Sequence, residues 1–326
     1  MTQSAVKERQ KAAGFTLIEM SIVLVIVGLL AGGVLVGQDL TRAAYIRAQI
    51  SQIENFNTAV NTFYGKYQAL PGDMNASTAQ ANGFAPRGQY AGEGDGNGII
   101  EGVAVDQAGD NYGSFPLIGE TAMFWEDLSY ANGMNIGLIE GSFRAASTTM
   151  TPSPTGGANP GDVTVTSSPS LSNFFPSAKL GRGNFIYVWS GGWNAVFGSP
   201  NGVNYFGLSI ITDLPTSPAQ DLPTNVGVTV SEAYRIDAKI DDGRPQSGRV
   251  LALYPNPDPM WAGDSDSTIP NTTNPVVPGD GVSSAASASS CYDNGNLPGA
   301  TENYSTGTNG GAGLNCALSF QMQGGD

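Results

Sequence analysis

From Phe15 to Gly37 the chain runs for 23 residues with a single ionisable side chain, Glu19. At ~1.5 Å per residue such a run makes a helix of ~34 Å, enough to cross a hydrocarbon layer ~30 Å thick. Lys7, Arg9 and Lys11 precede it, against Glu8. That bias keeps the N-terminus cytoplasmic and sends the rest of the chain outward. A secretory signal peptide fits poorly, because its apolar core is roughly 7–15 residues and Leu29-Leu30-Ala31 is a weak cleavage site. A plain membrane anchor fits the length but leaves Glu19 unexplained. An acid at mid-span costs roughly 2.5–3.5 kcal/mol, and the span contains no Lys or Arg to pair with it.

Cutting the chain between Gly14 and Phe15 supplies the partner. The new α-amine at Phe15 is a cation at an apolar helix start, and Glu19 can meet either its own amine or that of a neighbouring chain. Pairing between chains fixes the axial stagger of adjacent helices, as single buried polar residues do in other helical assemblies. Gly14-Phe15-Thr16-Leu17-Ile18-Glu19, behind a short basic leader and ahead of a long apolar helix, resembles the prepilin class of type IV pilins and type II secretion pseudopilins. The likeness covers residues 1 to about 70. It implies that a prepilin peptidase cuts after Gly14 and methylates the Phe15 amine. It further implies that Glu19 pairs with the Phe15 amine of a neighbouring pilin or pseudopilin subunit in a filament built on an inner-membrane platform. The implied location is the bacterial inner membrane, single-pass with a periplasmic domain, and then the filament. Val36 departs from the pattern, since many pilins carry a helix-kinking proline there; Gly28, Gly32, Gly33 and Gly37 are the residues that would loosen this helix instead.

No proline occurs before Pro71. Ile46, Ile50, Ile53, Asn57, Val60, Phe63 and Tyr67 recur at steps of three and four, with Asn57 a polar lapse beside Phe56. The spacing predicts helix from Phe15 to about Tyr67. The expected organisation is a leader at 1–14, a transmembrane helix at 15–37, an amphipathic continuation at 38–70 and an outward-facing domain at 71–326. Within that domain, 119–133 reads as a helix presenting Phe124, Leu128 and Ala131. "NFIYVW", "WNAVFG" and "NYFGLSIIT" read as a three-strand antiparallel meander. A helix from Ser231 and a strand "RVLALY" follow, while 147–172 and 256–326 read as loop-rich. The predicted class is α+β, with a long helical spine packed on an antiparallel sheet and a C-terminal region closed by a disulfide.

The chain carries 14 Lys+Arg against 28 Asp+Glu, a net charge of -14. That is the wrong sign for a nucleic-acid-binding surface, so no nucleic acid partner is expected. With no histidine, Ser-His-Asp and Cys-His catalysis and imidazole-ligated metals are absent. Cys291 and Cys316 read either as two buried thiols or, in an exported domain, as a disulfide. Trp125, Trp189 and Trp193 read as core, and Trp261 as a candidate surface contact.

Two acidic stretches are candidates for a structural Ca²⁺, the one cofactor considered. In "EGDGNGIIEG", Glu93, Asp95 and Asn97 match the first, third and fifth positions of a calcium loop and Glu101 the ninth. Ala104 stands where the bidentate glutamate belongs, so a solvated acidic turn is the competing reading. The resemblance adds that several pseudopilins use calcium. In "IDAKIDDGRP", Asp237, Asp241 and Asp242 gather at a helix C-terminus, where acids are unfavourable. Lys239, Arg244 or a cation must compensate them. No catalytic constellation accompanies either cluster, so the expectation is a non-enzymatic filament subunit. The competing class is a membrane-tethered periplasmic binding or enzymatic domain with an uncleaved anchor.

Overall fold

The computed structural model describes residues 15–84, 94, 96–100, 120–131, 134–135, 137–143, 150–152, 158–160, 171–190, 203–212, 224–255, 259–262, 288–295, 297 and 300–324. The chain divides into two compact units, Met1–Tyr45 and Ile46–Asp326. Helix α1, Leu17–Tyr67, is unbroken, so no kink replaces the missing proline at Val36. Its 51 residues span ~77 Å. Every side chain from 15 to 42 is exposed, whereas Ile46, Ile53, Phe56, Val60, Phe63 and Tyr67 are buried. The expected periodic face is therefore the packed face, with one change. Phe56 takes the buried place, while Asn57 accepts a hydrogen bond from the Gln323 amide at 2.9 Å, and Asn61 donates to the Gln323 carbonyl at 2.7 Å. The polar lapse is a clamp on the C-terminal tail.

After α2 (Ala76–Ala81) comes α3, Glu120–Leu128. The helix expected over 119–133 stops early, and Tyr130–Ala131 (β1) pairs antiparallel with Met134–Asn135 (β2). Ala131 thus belongs to a strand. A second small ladder joins Met150–Pro152 (β3) to Ala158–Pro160 (β4) inside the region expected as loop.

The main sheet is built from Asn184–Ser190 (β5), Asn204–Ile211 (β6), Thr224–Asn225 (β7), Val250–Leu251 (β8) and Leu318–Gln321 (β13), in the order β5-β6-β13-β8 with β7 also on β6. β5 and β6 pair directly, from Asn184 with Ile210 to Ser190 with Asn204. The middle strand of the expected meander is not between them; "WNAVFG", with Trp193, lies outside the described residues. Helix α4, Val230–Ile240, starts at a capping box formed by Thr229 and Glu232. Glu232 is also gripped by Arg182 at 2.5 Å. "RVLALY" is two strands rather than one. β8 joins the main sheet, while Leu253–Pro255 (β9) pairs with Pro259–Trp261 (β10). The break falls at Ala252, whose amide donates to the Pro245 carbonyl at 2.7 Å. Trp261 consequently sits half-buried on β10, not in a surface loop.

The C-terminal region, expected as loop-rich, also carries short strands. Tyr292–Asp293 (β11) pairs with Asn303–Tyr304 (β12), and β13 lies inside the main sheet between β6 and β8. The Cys291–Cys316 disulfide is formed, and Cys316 exchanges backbone hydrogen bonds with Val228 just before α4. The bridge therefore staples β11 and the entry to β13 beside the start of α4.

Gly207 of β6 stands opposite Tyr187 of β5. A Cβ at this position would lie 2.1 Å from the Tyr187 ring. Gly207→Ala is expected to destabilise the domain by ~1–3 kcal/mol through overpacking, read as a lowered melting temperature of the full chain in detergent.

Candidate functional site

The N-terminal site is one helical turn. α1 begins at Leu17, which makes Thr16 its N-cap and Glu19 its third residue. The Thr16 amide and hydroxyl each donate to Glu19 Oε2 at 2.7 Å, and the Glu19 amide donates to Thr16 Oγ1 at 3.3 Å. This is a reciprocal capping box. The carboxylate sits where the helix dipole favours it and where the first amides need acceptors. Glu19 is thus a first-turn acid with a partner in its own chain, and the mid-span penalty does not describe it. The Thr-x-x-Glu spacing was visible in the sequence. Phe15 is 80% exposed beside it; Gly14 lies outside the described residues.

Around the first acidic loop, Glu93, Asp95 and Glu101 also lie outside the described residues. Asn97 is described, and its Oδ1 accepts the Ile99 amide at 2.7 Å. The centre of the described part is Asp73, which sequence reasoning passed over. This buried carboxylate accepts the Gly96 amide at 2.7 Å and the Gly98 amide at 2.8 Å. Both glycines have positive φ, 81° and 85°, which turns alternate amides toward one acceptor. Two more buried acids continue the arrangement: Glu120 accepts the Gly94 amide at 2.8 Å, and Asp127 the Gly72 amide at 2.7 Å. The buried acids and the loop amides they hold come from positions more than twenty residues apart in sequence.

The second cluster is assembled by the last turn of α4. Carboxylate oxygens of Asp237, Asp241 and Asp242 all lie within 4.8 Å of one another. Asp237 is fully buried and accepts from the Tyr304 hydroxyl at 2.8 Å and the Gly243 amide at 3.0 Å. Asp241 accepts the Arg249 amide, and Asp242 accepts the Arg244 amide at 2.9 Å and the Ser247 hydroxyl at 2.7 Å. Lys239 and Arg244 make no ion pair with the trio among the described residues, so amides and hydroxyls do the compensating expected of them. Burial pushes the Asp237 carboxyl up to about 7; the Tyr304 and Gly243 hydrogen bonds oppose this, and the charges of Asp242 and Asp241 add to it. Three carboxylates at this spacing form an oxygen-donor set of the kind a hard divalent cation takes.

The titration has a defined sign. Between about pH 4 and pH 7 the folded chain keeps a proton on Asp237 that the unfolded chain has lost, so stability falls as pH rises through that window. Asp237→Asn, which still accepts from Tyr304, is expected to remove a slope of up to ~1.4 kcal/mol per pH unit. Melting temperatures of both chains from pH 4 to 8 in metal-free buffer measure it.

The model of the prokaryotic N-terminal methylation motif matches residues 9–35. No curated protein and no solved structure matches the chain significantly. The matched residues contain the Gly14-Phe15 step, the Thr16–Glu19 box and most of the apolar half of α1. The chain carries at its N-terminus the signature of type IV pilins and pseudopilins, on an apolar helix long enough to cross a membrane.

Proposed function

We propose that this chain is a non-enzymatic subunit of a type IV pilus-like filament or type II secretion pseudopilus. Prepilin peptidase cuts it after Gly14 and methylates the Phe15 amine, and an inner-membrane platform then assembles it with other pilin or pseudopilin subunits. Before assembly the chain is a single-pass inner-membrane protein with its domain in the periplasm. The observation that carries this reading is the methylation motif joined to a helix start whose acid is satisfied locally. Exposed Leu17, Ile18, Leu24, Leu29 and Leu35 need lipid before assembly and neighbouring helices after it. On assembly Glu19 exchanges Thr16 for the Phe15 amine of a neighbour, a charge-assisted bond in a dry setting. That exchange conserves the satisfaction of the carboxylate while setting the register between subunits.

Mass and N-terminal sequence of the protein from its own membranes are expected to show a chain starting at methylated Phe15. A chain still starting at Met1, in cells with active prepilin peptidase, would give the lead to a tethered binding or enzymatic domain. Glu19→Ala is expected to insert normally and yield no filaments; normal filaments from that variant would remove the register role.

The domain binds a structural Ca²⁺ at Asp237, Asp241 and Asp242, a reading supported by their mutual spacing. Calorimetry on the chelator-washed full chain is expected to show calcium heat that Asp241→Ala and Asp242→Ala abolish. A wild-type chain that gives no heat retires the ion.

A further inference from the structure

Three Asn-x-Ser/Thr tripeptides occur in the chain: Asn75-Ala76-Ser77, Asn271-Thr272-Thr273 and Asn303-Tyr304-Ser305. In an exported chain this tripeptide is the acceptor pattern for N-linked glycan. Asn271 lies outside the described residues. The other two fit the pattern equally as sequence, and the fold treats them oppositely.

At Asn303 the reacting groups are engaged. Its Nδ2 donates to the Thr301 carbonyl at 3.0 Å, and the buried Ser305 hydroxyl donates to Asp293 at 2.5 Å. Between them, buried Tyr304 holds Asp237 and pairs with Tyr292 of β11. Drawing this tripeptide into another protein's active site would break the β11–β12 ladder and uncover Asp237. At Asn75, by contrast, all three residues are exposed. The Asn75 Oδ1 accepts the Ser77 hydroxyl at 2.8 Å and the Thr78 amide at 2.9 Å, while Nδ2 makes no hydrogen bond among the described residues. The sequon hydroxyl is already on its own amide, and the nitrogen is the free end. The following helix α2 is six residues long and buries only Ala79, while Met74 just ahead is fully buried, so the segment lifts only from Asn75 onward. Asp73, two residues ahead, is buried against Gly96 and Gly98 and stays with the core.

We infer that Asn75 is an acceptor for N-linked oligosaccharide and that Asn303 in the folded chain is not. The inference rests on the exported placement of the domain given above. The donor class is an oligosaccharide carried on a polyprenyl pyrophosphate. Nδ2 attacks the anomeric carbon, a C–N bond forms, and the C–O bond to pyrophosphate breaks. The lipid pyrophosphate leaves with the bonding electrons, and one Nδ2 proton passes to a base on the transferase.

The test uses the folded full chain in detergent, with a solubilised bacterial oligosaccharyltransferase and undecaprenyl-pyrophosphate-linked oligosaccharide of known mass. Intact mass and glycopeptide mapping are expected to place one oligosaccharide on Asn75 and none on Asn303. Ser77→Ala is expected to lose the adduct and Ser77→Thr to keep it, both folding as wild type by circular dichroism. A folded chain bare at Asn75, or one modified at Asn303 to the same extent, overturns the inference. Because transfer is run on purified protein, its failure is separable from a wrong topology, which protease accessibility of the domain in spheroplasts reports independently.

Discussion

The domain is organised by the ring contacts that Phe56 of α1 makes with two elements distant in sequence. Its ring lies 4.9 Å from Trp125 of α3 and 5.9 Å from Phe206 of β6, and Phe124 closes on Phe206 at 6.0 Å. One helix position thus ties α3 and the main sheet together, and the packing of each depends on the others. Two glutamines on the same helix complete the docking. Gln52 bonds the Ser177 carbonyl and the Lys179 amide, and Gln49 accepts the Leu180 amide at 3.2 Å. Buried polar residues are tolerated on this apolar face because they take up backbone groups that the 177–180 segment would otherwise leave unpaired.

The acids of this strongly acidic chain are used in a consistent way. Asp73, Glu120, Asp127, Asp237 and Asp241 each accept at least one backbone amide, and Glu19 does the same at the start of α1. A carboxylate collecting amide donors holds a glycine-rich turn in place. Asp237 is the exception in its balance, since burial and two neighbouring acids outweigh its two hydrogen bonds. It is also the point at which α4, the turn after it and β12 meet.

Local signals were legible in the residues themselves. The apolar run, the 3-4 spacing from Ile46 to Tyr67, the strands around Ile186 and Leu208 and the start of α4 all follow from patterns among near neighbours in sequence. The capping box at Thr16 and Glu19 is equally local, but an acid inside a continuous apolar run reads as mid-span until the start of the helix is placed. The parts that escaped depend on long-range partners. "ALSFQM" alternates as a strand does, yet its place between β6 and β8 is set by Leu208, Phe206 and Leu251, far earlier in the chain. The central role of Asp73 in the 94–98 loop escaped because its partners lie more than twenty residues onward.

By itself the sequence determined that a membrane-length helix starts at a Gly-Phe step with an acid in its first turn, because length, hydropathy and capping need no other part of the chain. It also determined that two cysteines were available to close one loop. Only the tertiary structure decided that the last strand lies inside the sheet, that the Tyr304 hydroxyl arrives on a buried Asp237, and that two equivalent Asn-x-Ser tripeptides differ in accessibility. Each of those outcomes depends on which distant backbone groups and side chains arrive beside a residue, and burial and hydrogen-bond partners exist only once the chain has packed.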